Sequence, residues 1–275
     1  MGIMRYNKIM KPRIAIVNIF DQDAERLLDF ATSYGFEGID WSIDQHQSQQ
    51  DFISTMGLLK DLEVRFHCPF HGVDLGYADG RASTSLAVFT QTLERISLAG
   101  GRHMTVHTGF GKVSEDELDF KQALSNLTIL VRRGADLGVT VSLENLASQW
   151  TSVPELFTEL IQHSGAGVTL DIGHAHVCAS RDAEGHAFER YLLPNRDKII
   201  NAHIYHTETR EEGHVAPAVI EDIHERLAFL NETPSCTWWV IELKNMSDVL
   251  YTRALINRYY EKNMLSKPIA ERSSC

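Results

Sequence analysis

Short β-rich runs alternate with longer segments of helical periodicity from one end of this chain to the other, and that alternation constrains the fold more than any other feature. The runs cover residues 13–19, 36–43, 64–68, 103–108, 139–144, 167–172, 199–206 and 237–243. Between them, apolar residues recur at helical spacing, as in Ala24, Leu27, Leu28 and Ala31, or Ile220, Ile223, Leu227 and Leu230. Asp21 and Ser152 are expected N-caps, the latter followed by Pro154 and Glu155, while Gly35, Gly138 and Gly165 fall where helices should stop. Runs such as Ile14-Ala15-Ile16-Val17 and Trp238-Trp239-Val240-Ile241 are continuously apolar, as a parallel strand buried on both faces requires. No glycine-rich phosphate loop follows the first run, where Asn18-Ile19-Phe20-Asp21 stands, so an open doubly wound sheet is disfavoured. Eight β/α units in order predict an α/β fold, a single (β/α)8 TIM barrel. The expected domain is the whole chain, 1–275, with the barrel over about 13–262 and a tail at 263–275.

Composition limits the partners. With 26 basic against 37 acidic residues the formal charge is −11, which opposes a broad contact with nucleic acid or an anionic membrane and leaves room for one local phosphate contact. Cys68, Cys178, Cys236 and Cys275 are scattered without CxxC pairing and fit a reducing compartment. Met1 to Arg13 holds too short an apolar run for a signal peptide, and no stretch reaches the ~18 apolar residues of a membrane span. The expected location is cytoplasmic.

In a parallel barrel the C-terminal ends of all strands open into one mouth. One residue per strand end reads Asn18, Asp40, His67, His107, Glu144, Asp171, His203 and Glu242. From the third strand onward every one is metal-competent, an improbable run for a chain with 13 histidines and 37 acids in 275 residues. Each also adjoins an apolar run, where a buried carboxylate or imidazole needs compensation. Glu144, Asp171, His203 and Glu242 supply three oxygen donors and one imidazole, a set for Mn2+, Zn2+, Mg2+ or Co2+ with open positions for substrate. The competing interpretation is a buried salt-bridge network, but the strand ends offer almost no cation except Lys244. His174, just past the sixth strand, and Glu212-Gly213-His214, after the seventh, lie within reach of the mouth. With His67 and His107 these histidines either bind one or two further ions around Glu144 or hydrogen-bond substrate hydroxyls. His71, His176 and His206 are expected behind the ligands, and His46, His103, His163, His186 and His224 at the surface or in packing. Trp41, Phe70, Trp150 and Tyr205 adjoin strand ends, where they can form an apolar wall against a sugar ring or serve as core.

These pieces resemble the xylose isomerase-like TIM-barrel superfamily, which includes endonuclease IV (AP endonuclease family 2) and many sugar-phosphate isomerases and epimerases. The resemblance runs nearly end to end and is carried by Gly35-Phe36-Glu37-Gly38-Ile39-Asp40, Phe66-His67-Cys68-Pro69-Phe70, Val106-His107-Thr108-Gly109, Ser142-Leu143-Glu144-Asn145, Leu170-Asp171-Ile172-Gly173-His174 and Ala202-His203-Ile204. It implies that Glu144, Asp171, His203 and Glu242 hold the catalytic metal. In isomerases and epimerases of this kind two glutamates exchange a proton with substrate carbon through an enediolate, which implies Glu144 and Glu242 as the acid/base pair and His174 as a substrate contact. Endonuclease IV-like members use a larger cluster, in which His67, His107, His174, Glu212 and His214 would complete two or three metal positions. The chain departs from many relatives at His206 and Glu212, where aspartate is usual, and at Val215-Ala216-Pro217-Ala218.

Three functions follow. The first is metal-dependent isomerisation or epimerisation of a small carbohydrate or polyol, with one ion and carboxylate bases, and dehydration as a variant. The second is endonuclease IV-like phosphodiester hydrolysis at abasic sites by two or three zinc ions, opposed by the charge and by the lack of a basic strip. The third is metal or sugar binding without turnover, opposed by retention of both glutamates. Barrels of this kind often associate, so a homo-oligomer is compatible with the resemblance; no interface is visible in the sequence.

Overall fold

The computed structural model describes residues 11–69, 71–109, 114–181 and 187–265. The barrel strands are β1 (Arg13–Val17), β2 (Gly38–Ser42), β3 (Glu63–His67), β4 (His103–Val106), β5 (Thr140–Glu144), β6 (Gly167–Asp171), β7 (Ile199–Ile204) and β10 (Trp238–Ile241). All neighbours are parallel, and β1 pairs with both β2 and β10, which closes the eight-stranded barrel. Helices α1 (Ala24–Tyr34), α2 (Gln49–Leu58), α3 (Arg81–Leu98), α4 (Phe120–Asp136), α5 (Pro154–Ser164), α6 (Ile172–Arg181), α7 (Ala187–Asn195), α8 (His224–Asn231) and α9 (Met246–Leu265) occupy the crossovers and the end of the described chain. Thus α9 continues past residue 262, where the tail is expected to begin.

Strand alternation divides the core in two. Ile14, Ile16, Phe66, Met104, Leu143, Leu170, Ala202 and Trp239 belong to the large apolar cluster shared with the helices. Their neighbours Ala15, Val17, Trp238 and Val240 form a separate small cluster on β1 and β10. The alternate positions of β2 to β7 are polar and fully or nearly buried: Asp40, His67, His103, Thr105, Ser142, Glu144, Thr169, Asp171, Asn201 and His203. A TIM-barrel interior is usually filled by branched apolar side chains, so two strands of this one follow the rule and six do not.

Strands end earlier than the apolar runs, for a visible reason. Asn18 leaves the ladder after β1, and its side-chain oxygen accepts from Ser42 N at 2.7 Å, clamping the ends of β1 and β2. Asn145 repeats the device: its Oδ1 accepts from Asp171 N at 2.8 Å and its Nδ2 donates to Asp171 O at 2.9 Å, joining β5 to β6.

Two expected caps are corrected. Asp23, not Asp21, caps α1 by accepting from Arg26 N at 3.1 Å, while Asp21 is drawn to the Arg26 guanidinium at 2.7 Å. Ser152 closes a 3-10 turn by donating to Gln149 O at 2.6 Å, leaving Val153 as the cap and Pro154 in the first turn of α5. Gly35, Gly138 and Gly165 do stop their helices, each with positive φ.

Beyond β7 the chain forms an antiparallel hairpin, β8 (Thr207–Thr209) and β9 (Gly213–Val215), in which Glu208 faces His214. These three-residue strands carry no sequence periodicity. The hairpin packs against α6 beside the mouth.

Candidate metal centre

Strands β5, β6, β7 and β10 bring Glu144, Asp171, His203 and the following residue Glu242 together, with one ligand atom from each within 4.8 Å of the others. His203 Nδ1 lies 2.8 Å from Glu242 Oε2, 3.3 Å from Glu144 Oε1 and 3.8 Å from Asp171 Oδ2. These contacts are close yet poorly directed. His203 Nδ1, Asp171 Oδ2 and Glu242 Oε2 are all buried without a hydrogen bond of acceptable geometry. Donor atoms that crowd one point without bonding to each other fit a divalent cation, since buried polar groups are otherwise paired. Among the described residues, none of the three carboxylates is ion-paired to arginine or lysine; their partners are histidines alone. A buried network with arginine or lysine is therefore not what holds them.

Glu144 is engaged through both oxygens. Its Oε2 lies 3.2 Å from His67 Nε2 and 3.0 Å from His107 Nε2, while Oε1 faces His203 and His174 at 3.3 and 3.7 Å. His67, Glu144 and His203 form one potential ligand group, and Glu144 recurs in the four-residue group. A third group comprises His174, Glu208 and His214. His174 stands on the first turn of α6, where its backbone N donates to Asp171 Oδ1 at 2.7 Å, and its Nε2 lies 3.4 Å from Glu208 Oε2. His214 donates Nδ1 to the Glu242 carbonyl at 3.0 Å and stacks on Tyr205 with centroids 4.0 Å apart.

Glu212 is corrected. The hairpin places it exposed at the turn, with its N–H donating to Thr209 Oγ1 at 3.1 Å, and cross-strand register makes Glu208 the carboxylate beside His214. The sequence reading missed Glu208. Only the register of two three-residue strands identifies it.

Other expected residues divide. Asp40 is fully buried within the barrel, with neither carboxylate oxygen hydrogen-bonded, and joins none of the ligand groups. His206 instead meets Arg226 and ring-contacts His176 at 5.1 Å. Tyr205 is wholly buried against His214 and His174, and Trp150 is half-buried against Phe120. Trp41 borders a groove of about 390 Å3 at the mouth with Asn18, Gln22, Gln45, His46 and His71. Phe70 and His186 lie outside the described residues. Of the histidines expected at the surface or in packing, His46, His163 and His224 are exposed, whereas His103 is buried and hydrogen-bonded.

The electrostatics show what the ligands do without a cation. Burial opposes ionisation of Glu144, but His203 and His107 outweigh it and hold the carboxyl well below its usual range. Burial likewise opposes Glu242, which His203 and His214 bring down to about 2. Burial pushes Asp171 up to about 6 against the pull of His174. His174 is raised to about 10, burial being outweighed by Asp171 and Glu208, and His203 is raised well above its ordinary value by Glu144 and Glu242 against the same opposing burial. Imidazolium protons thus stand in the positive role that a bound divalent cation would take.

The chain matches the family described as xylose isomerase-like TIM barrel over residues 28–261. It is 23% identical over 201 residues to an uncharacterised protein of Methanocaldococcus jannaschii, spanning 72% of this chain and 80% of that one. Among solved structures, a D-tagatose 3-epimerase-like protein superposes with TM-score 0.72 at 19% identity, covering 90% of this chain and 97% of that one. Endonuclease IV from Thermus thermophilus superposes with TM-score 0.67 at 14% identity, covering 91% and 100%. At these identities the two structures share the fold.

Proposed function

The chain belongs to the xylose isomerase-like TIM-barrel family, and on that premise we propose that it is a divalent-metal-dependent hydrolase acting on the phosphate ester of a compact, hydroxyl-bearing molecule, with Glu144 shared between ligand groups. The observation that carries this reading is the engagement of both Glu144 oxygens, Oε2 between His67 and His107 and Oε1 toward His203. The two oxygens face different histidine sets, as a carboxylate shared between two ions would require.

The residues that would hold ions are Glu144, Asp171, His203 and Glu242, then His67 with Glu144 and His203, then His174, Glu208 and His214, with His107 beside Glu144 Oε2. Bound ions would supply Lewis-acid stabilisation of phosphoryl oxygens and acidify water. The protein's own groups orient this chemistry. Asn145 fixes the backbone of Asp171 and accepts from His174 Nδ1 through its carbonyl at 3.0 Å, and Tyr205 fixes the His214 ring. Asn18, Gln22 and Gln45 around Trp41 suit substrate hydroxyls. The charge of −11 favours a small ester over a duplex.

Epimerisation is the second reading. The fold similarity to the D-tagatose 3-epimerase-like protein favours it, as does the approach of Glu144 and Glu242 to the same His203 nitrogen. Protein loaded with Mn2+ or Zn2+ is assayed on p-nitrophenyl phosphate, sugar phosphates and an abasic duplex, and in parallel for deuterium wash-in to ketohexoses. Chelator-sensitive phosphate release is the expected result. Deuterium incorporation without phosphate release would replace hydrolysis with the epimerase reading.

A further inference from the structure

The end of the barrel opposite the metal centre contains a second cavity, of about 720 Å3, at the starts of β3, β4, β5 and β7. Its charged lining is Lys60, Glu63, Arg65 and Arg102, an excess of cations on a chain whose formal charge is −11. Glu63 is shared by Arg13 and Arg65, and Arg65 also donates to the Ile200 carbonyl at 3.1 Å and lies over the Trp238 ring at 4.6 Å. Lys60 and Arg102 are exposed at the rim, and neither forms an ion pair among the described residues.

His103 also lines this cavity and is 4% exposed. Its ring ends a chain of hydrogen bonds through the barrel interior. Asn201 Nδ2 donates to Thr105 Oγ1 at 3.4 Å, and Thr105, Thr169 and Ser142 are linked in turn by hydroxyl contacts of 2.8 and 2.7 Å. Ser142 Oγ then lies 2.7 Å from His103 Nε2. Each hydroxyl offers one proton and two lone pairs, so Ser142 satisfies Nε2 in either ring tautomer. Nδ1, by contrast, is buried with no partner. In the tautomer that carries its proton on Nδ1, that group calls for an acceptor, and the cations around the cavity specify an anionic one.

We propose that this cavity is a binding site for the phosphate group of a small phosphomonoester, received by the Nδ1–H of His103 and neutralised by Lys60, Arg65 and Arg102. The volume exceeds what inorganic phosphate alone would fill, which assigns the remainder to the ester's organic part. The site is separate from the metal centre and does not depend on the reaction performed there.

The test uses calorimetric titration of the Glu144→Gln protein, so that phosphate held by metal is not mistaken for phosphate held here. Ribose 5-phosphate, inorganic phosphate and ribose are the probes. Ribose 5-phosphate is expected to bind, inorganic phosphate more weakly, ribose not at all, and Lys60→Ala/Arg102→Ala to weaken the ester by about tenfold or more. Failure of the ester to bind at millimolar concentration, binding unmoved by the double substitution, or an ester no tighter than inorganic phosphate would each overturn the assignment. Crystals of the unsubstituted protein soaked in tungstate give an independent reading: an anomalous peak against His103 supports the site, and peaks confined to the metal-centre mouth reject it.

Discussion

Glu144 is the focus of the candidate site, because imidazoles from β3, the end of β4, β7 and α6 approach its two oxygens. Glu144→Gln keeps the volume and removes the charge; divalent-metal affinity is expected to fall by about 100-fold or more, with turnover lost, in metal analysis paired with the phosphatase assay. Retained metal content would show that the carboxylate is not a shared ligand. Glu208→Ala and Glu212→Ala separate the hairpin residues: the first should weaken metal binding at His174 and His214, and the second should leave metal content unchanged. Cys236 offers a pH test away from the centre. Burial pushes its thiol up to about 12, so the folded state favours the protonated form; that contribution is complete below the ordinary value of 9.0 and disappears as pH rises through about 12. Alkylation of native protein at pH 8 should therefore be slow at Cys236 and rapid once the chain is unfolded. The four residues of the central group are legible in the sequence as a candidate set because parallel strands deliver their C-terminal ends to one mouth. Asp40 occupies a similar strand-end position yet falls below that mouth, and Asn18 serves as a backbone clamp, distinctions that depend on barrel register.

At the scale of elements, apolar runs predict all eight barrel strands because each presents at least one face to the helix layer. The runs overshoot the strand ends, since the sequence does not show where an asparagine side chain replaces the next ladder bond. The β8–β9 hairpin is invisible in the sequence for a different reason: three-residue strands with exposed and half-buried residues have no hydrophobic period. Helix α6 begins so close to β7 that a Cβ on Gly173 would meet the Tyr205 ring at 2.0 Å. Gly173→Ala should displace Tyr205, and with it the His214 ring stacked on it, lowering both melting temperature and metal content. Unchanged values would mean that α6 can move away without consequence. By contrast, Asp119 caps α4 by accepting from Gln122 N at 2.8 Å, far from the ligands in function. Asp119→Ala should cost about 1 kcal/mol in denaturant unfolding while leaving turnover intact.

For the molecule as a whole, one closed barrel carries a candidate metal centre at one mouth and a cationic cavity at the other, joined by an interior whose polar side chains lie on six of its strands. No helix among the described residues is long and apolar enough to cross a membrane. Because the candidate ligands come from β3, the end of β4, β5, β6, β7, the segment after β10, α6 and the hairpin, metal bound by them would tie most of the barrel together. Chelation should lower the melting temperature, by about 2–4 °C for each kcal/mol of linked binding energy, and restored metal should recover it. The most direct measurement is anomalous diffraction from crystals of metal-loaded protein prepared without an affinity-tag metal. The account predicts more than one peak, with Glu144 contributing one oxygen to each of two ions and His67 and His107 ligating one of them. A single ion held by Glu144, Asp171, His203 and Glu242, with His67 and His107 still bonded to the carboxylate, would contradict it.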